Sequence, residues 1–271
     1  MNGASDYGAF QALVLGALAP LASLAIPAAR MLGVFAVLPI FTRLGLTGLL
    51  RGGVALALAL PLAPGLQAAA GPALAGGGAA LTVLLVKETL VGLVIGLVAG
   101  VPFWAAQTAG ELLDQQRGSQ SALVPDPSGE EAGVTGVLLL LTSAVVFLGA
   151  GGLRLLQEGV FESYALWPAA SPLPAFSAEA GLRTLGVLDR LLAGGLVLAS
   201  PLLVAMLLAE VALGLVGRFA PQLNVFDLAM AVKGIVHAVG LPIYALVLVG
   251  YLQGGLAPLA RLAAELRGFV P

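Results

Sequence analysis

Residues 74–106 read LAGGGAALTVLLVKETLVGLVIGLVAGVPFWAA, and only Lys87 and Glu88 interrupt their apolar character with charge. A helix needs about 20 mostly apolar residues to cross the hydrocarbon of a bilayer, and this run exceeds that. A membrane β-strand would alternate in polarity over about ten residues, which this run does not do. The stretch therefore predicts a membrane-spanning helix. Working outward, further apolar runs cover residues 9–29, 31–40, 53–70, 132–153, 191–217 and 235–257. Pro20, Pro27 and Pro39 interrupt helical hydrogen bonding in the first two, so these can form one bent element. Residues 71–78, GPALAGGG, predict a turn. The expectation is an all-α polytopic membrane protein of about six to seven long, bent apolar helices. A single domain is expected over residues 1–271.

Composition supports this class. Of 271 residues, 59% are hydrophobic and 10% charged, with 37 glycines. A soluble domain carries about 25% charged residues, because its surface must be solvated. Intrinsic disorder requires low hydrophobicity and high charge, and is excluded on both counts. The 12 basic and 14 acidic residues give a net charge of −2, with no basic stripe for nucleic acid. Zero cysteines remove disulfides, thiol nucleophiles and thiolate metal sites. The N-terminus carries Asp6 and no basic residue before its apolar run, so no cleaved secretory signal is expected. Basic residues are spread almost evenly over alternate connections, as expected of helices set within a larger assembly.

Several positions carry chemistry or packing. Gly92, Gly96 and Gly100 recur every fourth residue and allow another helix to approach closely, either within the chain or from another subunit. Lys87 and Glu88 point about 100° apart on a helix, so each is expected to find a partner elsewhere. Glu210 sits in a similar apolar setting. A small-molecule or ion transporter would use Glu88 or Glu210 as a proton carrier, but no second acid or His lies at helical spacing to build a relay. A buried polar bond is the plainer expectation. His237 is the sole histidine and reads as a packed or helix-bonding residue, since zinc takes three or four ligands. No GxSxG, HExxH or P-loop pattern occurs, so no enzyme activity and no cofactor are expected.

Two polar segments, 107–131 and 154–190, break the apolar pattern. In the first, Glu111, Asp114 and Arg117 share a helical face where ion pairing is possible, and Gly118 can end the helix. Pro125, Asp126 and Pro127 then favour an extended turn. This predicts a structured polar loop between two apolar helices, either a solvated connector or a loop entering an aqueous pathway. A further segment, residues 218–226, reads RFAPQLNVF. Pro221 stops the preceding helix, while Gln222 and Asn224 can bond freed backbone groups. Lys233 follows and can neutralise a neighbour.

At these residues the chain resembles the SctT/FliR family, the export-apparatus membrane proteins of type III secretion systems and of the flagellar export machine. The signs are GELLDQQRG at 110–118, Asp126-Pro127, Gly151-Gly152, Ser163-Tyr164 with Trp167-Pro168, and RFAPQLNVF with Lys233. They keep their order across most of the chain. The Glu-x-x-Asp-x-Gln-Arg-Gly pattern and the Ser-Tyr…Trp-Pro corner are closer to the injectisome (YscT/HrcT/SpaR-type) branch than to the flagellar FliR paralogue.

The resemblance implies a non-enzymatic gate subunit whose helices pack as bent hairpins. It implies assembly with SctR/FliP-type and SctS/FliQ-type membrane subunits, alongside SctU/FlhB-type and SctV/FlhA-type export components. It places the chain, in contact with lipid, in the bacterial inner membrane at the base of the secretion machine. Unfolded secreted proteins would pass through the assembled channel. The family's loop at residues 107–126 is associated with plugging the pore, making Glu111, Asp114, Gln116 and Arg117 the candidate gating residues. Gly92, Gly96, Gly100, Arg218, Pro221, Gln222, Asn224 and Lys233 are the candidate subunit-packing residues.

Overall fold

The computed structural model describes residues 3–43, 48–118, 123–125, 131–171, 173–220, 222 and 224–271. Asp126, Pro127 and Pro221 lie outside them. Apart from one short ribbon, the regular elements of the described residues are all helices. The helices are α1 (Gly3–Val37), α2 (Pro39–Arg43), α3 (Gly48–Ala59), α4 (Gln67–Ala75), α5 (Gly77–Arg117), α6 (Val134–Gly149), α7 (Gly152–Leu166), α8 (Ala180–Phe219), α9 (Val225–Leu256) and α10 (Leu262–Leu266). A 3-10 segment, Leu60–Leu66, joins α3 to α4. Strands β1 (Leu123–Pro125) and β2 (Glu131–Gly133) pair antiparallel, with Leu123 opposite Gly133.

Among the described residues, five helical segments are long and apolar enough to cross a bilayer: Gly16–Val37, Gly48–Ala75, Gly77–Arg117, Ala180–Phe219 and Val225–Leu256. The broken pair α6 and α7, taken as one span, makes a sixth. The count is five or six rather than seven because the runs at 9–29 and 31–40 merge in α1, with Pro20 and Pro27 inside it. The expected turn at 71–78 contracts to Gly76–Gly77, where Gly77 takes φ +79°. Helix α4 continues through Pro72 to Ala75. The 41 residues of α5 span about 60 Å, about twice the thickness of bilayer hydrocarbon.

The described chain divides into two compact units. The first comprises Met1–Gly100, Arg154–Arg183 and Leu259–Pro271. In it α1 packs against α3, the 3-10 segment and α4. Its core includes Ala22, Ile26, Ala70, Leu84 and Ala169. Helices α1 and α5 meet backbone to backbone: a Cβ on Gly92 would sit 2.1 Å from the Arg30 carbonyl oxygen, and one on Gly96 would sit 2.7 Å from that of Val34. The small-residue face at Gly92 and Gly96 is therefore filled by α1 of the same chain. Gly100, two turns on from Gly92, is also buried.

The second unit comprises Val101–Leu153 and Thr184–Pro258. Its core joins Ala106, Ala109 and Leu113 of α5 to Leu139 of α6, Leu198, Leu202 and Met206 of α8, and Leu248 and Leu252 of α9. Phe103 and Phe147 meet edge to face at 5.3 Å. Gly110 lets α6 come onto α5: a Cβ there would lie 2.4 Å from the Gly136 nitrogen.

Candidate functional site: the polar base of the α5–α6 connection

The segment linking α5 to α6 carries the candidate gating residues. Residues 107–117 continue α5, because their Gln, Glu, Leu and Ala side chains favour helix, and Gly118 supplies the left-handed residue, φ +79°, that ends it as expected. The Gly118 N–H closes the last turn on the Gln115 carbonyl at 3.0 Å. After the β1–β2 ribbon the chain re-enters helix at Val134.

Asp114 organises this base. Its Oδ2 accepts the Thr135 backbone N–H at 2.8 Å, and its Oδ1 accepts the Thr135 hydroxyl at 2.7 Å and Arg117 Nη2 at 2.8 Å. The first turn of a helix leaves N–H groups without intrahelical partners and favours negative charge. Gly133, the residue preceding α6, has no side chain to fill that role, so Asp114 caps α6 from α5. Gly133 is required for this: a Cβ there would fall 2.4 Å from Asp114 Oδ2. His237 of α9 completes the group, with Nε2 3.2 Å from the Thr135 hydroxyl oxygen. Asp114, Thr135 and His237 are all buried.

A second group lies on α5, α8 and α9. Gln116 Nε2 of α5 and Lys233 Nζ of α9 both donate to Glu210 Oε2 of α8, each at 3.2 Å. Glu111 instead accepts from Gln107 Nε2 at 2.8 Å. The structure thus joins Asp114 to Arg117, as helical spacing predicts, and joins Gln116 to Lys233 through Glu210. Arg218 and Gln222 are exposed. Asn224 precedes α9 and bonds its amide to the Asp227 carboxylate. Thr135 has no distinguishing local pattern, and only the α5–α6 pairing brings it in; Glu210 stands out as an acid in an apolar run, but its partners Gln116 and Lys233 come from other helices.

The other buried charges stand in the first unit. Arg30 donates through Nε to Glu88 Oε2 at 2.6 Å, through Nη1 to the Ser163 hydroxyl at 2.7 Å and through Nη2 to the Trp167 carbonyl at 2.9 Å. Its guanidinium lies 3.5 Å from the Tyr164 ring centroid. Lys87 Nζ reaches Glu88 Oε1 and the Pro168 carbonyl, both at 2.7 Å. The expectation that Lys87 and Glu88 do not pair is corrected. Adjacent positions diverge at the backbone, but the flexible Lys stem swings back to the same buried carboxylate. The cluster ties α1 and α5 to the Ser163-Tyr164…Trp167-Pro168 corner. Trp167 is buried and donates Nε1 to the Ala175 carbonyl at 3.0 Å, so it serves packing.

Residues 21–258 match the family described as bacterial export proteins, family 1. The chain is 39% identical over 217 residues to the Yop proteins translocation protein T of Yersinia pestis, covering 79% of this chain and 82% of that protein. It is 32% identical over 220 residues to the surface presentation of antigens protein SpaR of Salmonella typhimurium, covering 78% of each. It is 29% identical over 202 residues to the flagellar biosynthetic protein FliR of Pectobacterium carotovorum, covering 74% of this chain and 75% of that protein.

Proposed function

Since this chain belongs to the bacterial export proteins, family 1, we propose that it is a non-enzymatic gate subunit of a type III secretion machine in the bacterial inner membrane. The observation that carries this reading is the 39% identity to a translocation protein over most of both chains. The whole chain acts as one export-gate domain. It joins SctR/FliP-type and SctS/FliQ-type membrane subunits, with SctU/FlhB-type and SctV/FlhA-type components nearby, to form a channel for unfolded proteins. The higher identity to the Yersinia translocation protein, 39%, than to the flagellar relative, 29%, favours the injectisome branch.

Within this reading, the α5–α6 connection closes the pore and Asp114 holds its two ends together. Arg117 orients Asp114, while Gln116 ties this end of α5 to Glu210 and Glu111 bonds Gln107. Arg218, Gln222 and Asn224 are exposed and present polar groups for a partner subunit. A transporter is disfavoured because the acids it would use are committed: Glu88 to Arg30 and Lys87, Glu210 to Lys233.

Co-expression with the neighbouring export genes, mild-detergent purification and native mass spectrometry test the assembly. The expected result is one large complex containing this chain and two smaller membrane proteins. A stable monomer or homo-oligomer in the presence of those partners contradicts the proposal.

A further inference from the structure

His237 is bonded to the clasp in a way that fixes the direction of every proton in it. The Thr135 hydroxyl has one proton, and it is spent on Asp114 Oδ1 at 2.7 Å. Asp114 faces three donors, one of them the Arg117 guanidinium, so it acts as an accepting carboxylate. The remaining partner of the Thr135 oxygen is His237 Nε2 at 3.2 Å. That nitrogen must therefore donate. We propose that His237 carries its proton on Nε2 and is a positioning residue for the pore-loop base, rather than a filler of the helix interface.

The bonds form a one-way chain from α9 through α6 to α5: Nε2–H to Oγ1, then Oγ1–H to Oδ1. Because the imidazole donates, the hydroxyl cannot rotate its proton away from Asp114 without losing both bonds. This holds Asp114 in the rotamer that also caps the Thr135 N–H. The part played by the clasp in closing a pore rests on the export-gate reading. The proton placement does not, since it follows from the hydrogen-bond geometry and from Asp114 acting as an acceptor.

Two measurements on the purified export complex separate these. The first is a nitrogen-15 histidine difference spectrum between wild type and His237→Gln, which isolates this imidazole because the chain has a single histidine. The expected signal has a protonated Nε2. A protonated Nδ1 with a bare Nε2 overturns the proposal, whatever the chain's function.

The second is ion leakage in cells carrying assembled complex. A neutral hydrogen bond of this kind corresponds to about a fivefold shift in an equilibrium, so His237→Leu is expected to raise leakage by about that factor. His237→Gln, which retains an N–H at the same reach, restores wild-type leakage. Equal leakage from the Leu and Gln variants overturns the positioning role. Should Asp114→Ala also leave leakage unchanged while the spectrum shows protonated Nε2, the pore-loop reading fails and the proton placement stands.

Discussion

Asp114 of α5 receives the backbone N–H of Thr135, at the start of α6, on Oδ2 at 2.8 Å. The two residues flank the connection between these helices, so one carboxylate closes it at both ends. Gly110 against Gly136 and Gly133 against Asp114 supply the clearance for this contact. A Cβ at Gly133 would fall on the carboxylate itself, and one at Gly110 on the backbone of α6.

Replacing Asp114 by Ala removes the acceptor of three hydrogen bonds at a buried site. The expected loss is about 2–4 kcal/mol, because buried donors are left without their acceptor. Thermal unfolding of the solubilised complex should show it, with Thr135→Val costing less because the backbone N–H remains capped. Equal melting of Asp114→Ala and wild type would show that the cap contributes nothing.

Gly92→Leu and Gly96→Asp are expected to abolish recovery of folded chain. A Cβ at either position runs into backbone oxygen of α1, and backbone cannot step aside as a side chain can. The lesion lies inside the chain, so overproducing partner subunits should not rescue it. Rescue by partners would place these glycines at a subunit contact instead.

Much of this was legible in the sequence, and the reasons divide cleanly. Apolar runs such as 74–106 announce membrane helices because bilayer thickness sets a minimum length. The Asp114–Arg117 pair and the Gly118 stop follow from helical periodicity and glycine's access to positive φ. Other features depend on tertiary pairing. Thr135 and His237 are 102 positions apart, and nothing local marks them as neighbours. The Lys87–Glu88 bond escapes helical geometry because backbone direction says little about where a long Lys side chain ends. The polar stretch 154–190 contains much of α7 and the start of α8, since helices continue beyond their apolar portions.

Glu88→Gln is expected to destabilise the first unit by about 3–5 kcal/mol. It leaves Arg30 and Lys87 buried beside each other without a counter-charge. Limited proteolysis of the solubilised protein should reveal it as faster cleavage near Trp167-Pro168. If Glu88 were instead a transported-proton carrier, Glu88→Gln would fold normally and lose only proton-coupled activity.

Lys233→Ala should be far milder. Its partner Glu210 has a side chain 47% exposed, so water screens the pair and the expected cost is about 1 kcal/mol or less. Melting of this variant should stay close to wild type, and a collapse would mean that Lys233 is buried against a partner subunit in the assembly.

The most direct test of the central claim, that the clasped α5–α6 connection closes an export pore, is ion leakage and protein secretion in cells carrying Asp114→Asn. This substitution keeps the shape of the side chain but removes its charge. The account predicts raised leakage with the complex recovered intact. Wild-type leakage and wild-type secretion from an intact Asp114→Asn complex would contradict it.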